Sequence, residues 1–390
     1  MSACPLCASQ RLEMVLHVAR VPLQIGVALP SHQQALGAAT GDVRLAQCRD
    51  CGLVVNDGFE AERVSYYPGY DVSLTHSPTY RAYLYQEALA LVGAHGVRDR
   101  AVVELGCGDG YFLRLLCQLG GNSGDGYDPS LHAAHTEAVG EGRVRLHPQE
   151  FRPQPPPEAP GLVVARSILE LLPDPAGFLR MINAMADPGR PGTLVYLEVP
   201  NADWLLGNRM AWNVHYEHRS YFTADTLRRA CAAQGMRVLE CGPCYVDGQY
   251  LRLLAVAGGA PTSVSGPADP RTVESARDFA GAYRVQRSRW SARLASWAGS
   301  GLRTVLWGAG GRGTSFLAAV DPGARLVDFA VDANPARHGA FLPVTGHRVC
   351  PPTDLRGAGC DVLVISNATY KREIVAAARD EGFEGETWTL

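Results

Sequence analysis

The sequence has no run of 18 apolar residues, so nothing in it reads as a membrane span. It has no long basic run either, and its 36 Lys and Arg are offset by 39 Asp and Glu, for a net charge of −3. The electrostatic footprint of a nucleic-acid binder is therefore missing. The opening MSACPLCASQ lacks a charged segment followed by an apolar core, so no secretory leader is expected and the chain reads as cytoplasmic. A disulfide framework is also not expected. The 11 cysteines are an odd number and include two Cys-x-x-Cys pairs, which suits a reducing compartment with a metal site. These exclusions leave a small-molecule acceptor as the expected partner. Oligomeric state is not written in the sequence.

What is present divides into three territories. Residues 1 to about 75 read as loop-like, with Gly, Pro and the cysteine pairs. From YRAYLYQEALALVGAH, which has helical apolar spacing, the chain alternates strands and helices through AVVELGCGDGYFLRLL, GLVVARSILELL and GTLVYLEVP. Strands alternating with helices predict a parallel α/β sheet. The polar stretch GGAPTSVSGPADP reads as a linker. Beyond it come a helical segment and a second α/β unit, RTVLWGAGGRGTSFLAAV to CDVLVIS.

Cys4 and Cys7 form one pair, Cys48 and Cys51 the other. Two-residue spacers let both sulfurs of a pair face one ion, and four thiolates suit a tetrahedral Zn²⁺. A glycine follows the last cysteine and helps the chain turn around the metal. Such a site is closed and structural. The gap of forty residues between pairs is longer than a compact ribbon needs.

In ELGCGDGYF, Gly106, Gly108 and Gly110 follow a strand ending at Glu104. Glycines permit a tight turn and close approach of the backbone to a ligand. About twenty residues on, Asp128 stands at the end of the next strand, where a carboxylate can accept from ribose hydroxyls. That spacing alone fits either NAD or S-adenosylmethionine. Cys107, inside the loop, reads as a small apolar filler beside the cofactor. The second loop, Gly308, Gly310 and Gly313 with Asp332 beyond, has a dinucleotide pattern that is weak by itself. Arg312 within it suits a substrate phosphate.

A further cluster is HYEH: His215, Tyr216, Glu217 and His218, followed by Arg219, Ser220, Tyr221 and Phe222. The first loop, E-x-G-x-G-x-G with Asp128-Pro129 downstream, resembles that of class I S-adenosylmethionine-dependent methyltransferases. With the cysteine pairs, HYEH and the C-terminal stretch VDANPARHGAFLPVTGHRV, the chain resembles the zinc-containing sugar C-methyltransferases of deoxysugar biosynthesis. The resemblance covers nearly the whole chain. It implies a zinc-binding domain at 1–75, a Rossmann-like class I methyltransferase core at 76–257, a linker at 258–272, and a second Rossmann-like, substrate-side domain at 273–390.

The family methylates a carbon next to the ketone of a nucleotide-linked 4-keto sugar. Carbon becomes a nucleophile only after deprotonation, and histidine titrates in the right range for that work. His218 is therefore expected as general base, Tyr216 and His215 as stabilisers of the enolate oxygen, and Glu217 as orienter or substrate anchor. Tyr70, in YYPGYDVSLTHSP, is carried over from the family's tyrosine-rich segment. The family's Tyr-His-Glu-His is here His-Tyr-Glu-His. Where the family often carries Arg-His-x-x-Glu-His, this chain has Ser167 and Leu171 in place of the histidines. Ser167 is set with the cofactor residues, and a helix presenting leucine to the pocket is expected there. An O- or N-methyl acceptor on the same fold is the alternative reading.

Overall fold

The computed structural model describes residues 3–152, 159–186, 192–261 and 269–390. Residues 262–268 of the expected linker lie outside them, and Pro270 already opens a helix.

The first 75 residues are loop-like only in part, beyond about residue 57; before that they hold a small sheet. Strand Leu12–Pro22 pairs antiparallel with Thr40–Cys48, which pairs with Val54–Asn56. Two register shifts, between Met14 and Leu16 and between Val18 and Val21, break the two-residue alternation and hide these strands from a periodicity reading. The pairing also accounts for the forty-residue gap. Leu12 lies opposite Cys48, so the strands carry the two cysteine pairs back to one end. A fourth strand comes from far downstream: Ser220–Tyr221 pairs with Val54 and Val55.

The central sheet has eight strands, in the order 237–244, 250–256, 194–200, 162–166, 101–105, 123–127, 142–147, 135–139. The strands from 194–200 to 142–147 are mutually parallel, with antiparallel neighbours on both flanks. Leu162–Arg166 and Leu194–Pro200 are buried almost throughout, as expected of parallel strands covered on both faces. Strand 101–105 sits where the order reverses. In such sheets the ligand crevice opens at the carboxyl ends beside that point.

The third sheet has five parallel strands: 349–350, 330–331, 304–307, 362–365, 386–389. Helix Pro270–Gly299 leads into it, capped by Asp269, whose side chain accepts from Arg271 N–H. Its buried residues include Ala276, Phe279, Ala280 and Tyr283, an i, i+3, i+4, i+7 face. Phe316 packs edge-on to Trp290 at 5.3 Å and Trp212 at 5.1 Å. One apolar cluster thereby joins the N-terminal sheet, residues 202–221 and the C-terminal sheet. The HYEH segment is embedded where the three meet.

Candidate active site

The first glycine loop joins strand Ala101–Leu105 to helix Tyr111–Gly120. Gly106, Gly108 and Gly110 all have positive φ, at 69°, 54° and 79°. A Cβ at Gly106 would also lie 2.9 Å from Ile168, and one at Gly110 2.8 Å from Leu146. Asp128 follows strand Ser123–Tyr127; its Oδ2 accepts from Gly108 N–H at 2.8 Å, and Oδ1 from the Ser130 N–H and hydroxyl. The carboxylate thus holds the loop in shape while facing the crevice. Glu104 is buried with Oε2 unpartnered among the described residues, and burial pushes its carboxyl up to about 8. Such an acid calls for a cationic neighbour.

A cavity of about 1130 Å³ opens at this switch point. Glu104, Gly106, Cys107, Gly108, Asp128 and Ser167 line one side. Ser167 sits at φ 51°, in a turn after strand Leu162–Arg166, and not on the expected helix; Leu171 lines the cavity from the same turn. The opposite wall is mainly the irregular stretch 64–76, with Tyr66 and Tyr70. Arg166, Tyr80 and Tyr250 complete it. Arg166 is tied to the fully buried Glu198 at 2.9 Å and to the Tyr80 hydroxyl at 2.8 Å, so its charge is already matched. Sequence reasoning missed Tyr66, Tyr80 and Arg166. The tyrosine-rich YYPGY was the only local signal for the first.

None of the four HYEH residues lies on the cavity wall itself. The segment reaches it through Tyr70, whose hydroxyl donates to Glu217 Oε2 at 3.0 Å; Glu217 Oε1 accepts from Ile25 N–H at 2.9 Å. Burial lifts the Glu217 carboxyl to about 7, against the pull of Ile25 N–H and the Tyr70 and Tyr66 phenols. His218 lies deep but keeps an accessible edge, and its ring makes no hydrogen bond among the described residues. Burial brings it down to about 4, so it is neutral near pH 7.

His215 stands 4.9 Å from His218, ring to ring, and its Nδ1 pairs with Ser315 Oγ at 2.9 Å. Burial, helped by His218 and Arg312, holds it neutral too. Tyr216 departs from its expected role. Its side chain turns into the N-terminal sheet, its ring fills the space over Gly41, and its hydroxyl accepts from Glu60 N–H at 3.1 Å. Tyr216 and Glu217 sit together in a turn and part there, the Tyr216 ring going to Gly41 and the Glu217 carboxylate to Tyr70.

The four cysteines converge. All four sulfurs lie within 4.8 Å of one another, with Cys4–Cys51 and Cys7–Cys48 both at 3.6 Å. Thiolates about 2.3 Å from a tetrahedral ion are separated by close to this distance. The cluster could hold a metal ion. Both pairs turn through a left-handed residue after the second cysteine: Gly52 at φ 83° and, unforeseen, Ala8 at φ 59°.

In the second glycine loop, Asp332 Oδ2 accepts from Ala309 N–H at 2.7 Å and Oδ1 from Asn334 N–H at 2.8 Å. Its carboxylate is occupied by the loop and the following turn. Arg312 donates to Gln249 Oε1 at 2.7 Å and lies over the Trp204 ring. Tyr245, Tyr250 and Tyr370 surround it, the first and last joined by a 2.8 Å hydroxyl contact.

Comparison with known proteins agrees with this layout. A methyltransferase-domain model matches residues 78–241, and a C-methyltransferase C-terminal-domain model matches residues 268–389. The C-methyltransferase NovU of Streptomyces niveus is 25% identical over 297 residues, spanning 70% of this chain and 68% of that protein. Among solved structures, an S-adenosylmethionine-dependent methyltransferase from Clostridium acetobutylicum covers 48% of this chain and 95% of its own, with TM-score 0.38 and 11% identity. A Burkholderia thailandensis 1,6-didemethyltoxoflavin-N1-methyltransferase covers 55% and 96%, with TM-score 0.35 and 16% identity. The two matched models cover most of the sheet with the first glycine loop and the whole of the sheet with the second, so in this chain a methyltransferase-domain match is followed by a C-methyltransferase C-terminal-domain match.

Proposed function

We propose that the protein methylates a carbon next to a ketone, most fittingly on a nucleotide-linked 4-keto deoxysugar. The observation that carries this reading is the facing of the Glu104–Asp128 loop, across one cavity, by a tyrosine wall backed by Glu217. S-adenosylmethionine, when bound, would supply an electrophilic methyl group on a sulfonium whose leaving group is the neutral thioether of S-adenosylhomocysteine. Gly106, Cys107, Gly108 and Ser167 would form its bed, while Gly110 lies off the cavity wall and shapes the turn into the helix. Glu104 would meet its cationic end, and Asp128 its ribose.

We assign His218 to take the proton of the carbon next to the ketone through one water, since it stands behind the cavity wall. It is neutral, makes no hydrogen bond among the described residues and keeps an accessible edge. Tyr70 stays protonated, since burial and Glu217 raise its phenol well above the usual range; its one proton rests on Glu217 Oε2, and it turns to the enolate oxygen when a protonated Glu217 donates to the phenol in exchange. His215 supports the His218 ring. The assignment of Tyr216 to the enolate is withdrawn in favour of an anchoring role. Zn²⁺ is the ion proposed for the cysteine cluster, where it would be structural. Arg312, which meets no carboxylate among the described residues, suits the substrate's phosphates. An oxygen or nitrogen acceptor is the second reading, favoured by the apolar Ile168, Leu171 and Leu172 on the wall.

The deciding experiment is transfer of labelled methyl from S-adenosylmethionine to a panel of nucleotide-linked 4-keto-6-deoxy sugars, run in deuterated water and read by mass spectrometry. Methylated product together with deuterium at the adjacent carbon supports carbon methylation. Transfer to an oxygen or nitrogen acceptor, without exchange at carbon, overturns it.

A further inference from the structure

The stretch from Ser65 to His76 has no helix or strand of its own, yet ten of its residues line the cavity. An irregular segment holds one shape only if its polar groups are tied down. Its ties run outward to all three parts of the molecule. The Ser65 carbonyl accepts from Gln24 Nε2 at 2.7 Å, and Asp71 N–H donates to the Gly26 carbonyl at 2.8 Å. Tyr70 holds Glu217. The remaining ties come from the C-terminal domain: Asn334 Nδ2 donates to Asp71 Oδ2 at 2.5 Å, and Arg337 donates to the Asp71 carbonyl.

Both donors are themselves fixed. Asn334 and Arg337 are buried. Asn334 Oδ1 accepts from Ala336 N–H at 3.0 Å, which leaves its amide nitrogen aimed at Asp71. Arg337 also donates to the Ala309 carbonyl at 3.0 Å, inside the second glycine loop. One chain of bonds thus runs from that loop through Arg337 and Asp71 to the residue beside Tyr70.

We infer that Asn334 and Arg337 are positioning residues, which clasp the 65–76 loop shut over the cofactor cavity through Asp71 and so set Tyr70 against Glu217. The C-terminal domain then serves the reaction without touching the reacting atoms. The inference rests on the cofactor occupying this cavity.

The test uses a reciprocal exchange in the full-length protein. Asn334→Asp puts two carboxylates against each other while keeping the acceptor for Ala336 N–H. Asp71→Asn with Asn334→Asp restores a donor and an acceptor in reversed order, and the Asp71 side chain's own bond from Ser73 N–H survives the change. Asp71→Ala removes the Asn334 half of the clasp from the loop side, keeps the carbonyl that Arg337 holds, and leaves the C-terminal domain's own sequence untouched.

Three readouts are compared: S-adenosylhomocysteine affinity by calorimetry, the rate of limited proteolysis within 65–76, and kcat and KM. Asn334→Asp and Asp71→Ala should each speed cleavage in the loop and weaken S-adenosylhomocysteine about tenfold. The double exchange should recover both. KM should rise more than kcat falls. Unchanged cleavage in Asn334→Asp and Asp71→Ala, or a double exchange no better than Asn334→Asp alone, overturns the clasp. Failure of the unaltered protein to bind S-adenosylhomocysteine strikes the cofactor placement instead.

Discussion

The Tyr70 hydroxyl donates to Glu217 Oε2 at 3.0 Å across 147 residues of chain. This bond joins the cavity wall to the HYEH segment, and it makes Glu217 a group whose proton is felt by both. The unfolded chain loses that proton near the ordinary carboxyl value of 4.5, the folded chain only near 7. Between these values the folded state holds more protons, so its stability falls as pH rises from about 4.5 to about 7, then levels off. Glu217→Gln removes this titration. Thermal melts should show the variant more stable than the unaltered chain at pH 8, by up to ~3 kcal/mol, and equal to it near pH 4.5. Equal melting curves at pH 8 would remove the argument.

His218→Ala should lower methyl transfer by about 10²–10⁴-fold, the usual worth of a general base. Cofactor affinity should hold, because the ring makes no hydrogen bond to the cofactor loop or to anything else described. Tyr216→Phe should instead leave turnover within about twofold and lower the melting temperature slightly, since it loses one hydrogen bond of roughly 1 kcal/mol to Glu60 N–H. Comparable losses of turnover in both variants would return Tyr216 to the acceptor site.

Gly106→Ala should weaken S-adenosylmethionine binding sharply. The backbone there is left-handed, at roughly 1–2 kcal/mol for a residue with Cβ, and that Cβ would press on Ile168 at 2.9 Å. Gly108 has the same handedness with nothing within 4 Å of its Cβ, so Gly108→Ala should carry the strain without the clash. Calorimetric affinities should rank unaltered, Gly108→Ala, Gly106→Ala, from tightest to weakest. Inverted order would mean that the clash is relieved.

Glu104 is held largely protonated at neutral pH by burial. If it meets the cationic end of the cofactor, it must give up its proton on binding, so affinity should rise with pH through about 8. Titrations at pH 7 in two buffers of different ionisation enthalpy should report proton release. Glu104→Gln should abolish that release. Identical heats in the two buffers would place the cation elsewhere.

Much of this was legible in the chain. The strand, glycine turn and helix over 101–120 are local events, and local spacing announces them. So are the two cysteine turns. What stayed hidden depends on distant pairing. The strand Leu12–Pro22 is bulged, so its alternation fails. Tyr216 and Glu217 are neighbours in sequence with opposite destinations, which only the packing of Ser220–Tyr221 against Val54–Val55 decides. Asp71 reads as one acid in a loop; its partners Asn334 and Arg337 lie more than 260 residues away.

Removal of the metal should reach beyond the cysteines. Cys48 ends the strand that leads, through Val54–Asn56, to Ser220–Tyr221, two residues past His218. Cys48→Ser, or treatment with a strong chelator, should lower the melting temperature and also activity, while metal analysis of the intact protein finds about one zinc per chain. Full activity in metal-free protein would separate the two regions.

That same fourth strand has a consequence for synthesis. The amino-terminal sheet cannot be finished by the amino-terminal residues, because Ser220 and Tyr221 emerge from the ribosome only after the whole nucleotide-fold sheet up to 194–200 has been made. At roughly 5–20 residues per second, the edge of Val54–Asn56 waits some ten to thirty seconds for its neighbour. Until then an unpaired strand edge is open to other nascent chains. With the proposed zinc bound, the cysteine knuckle would form early and hold the first hairpin together through this interval, so zinc supply during translation, more than afterwards, should then govern the yield of folded protein.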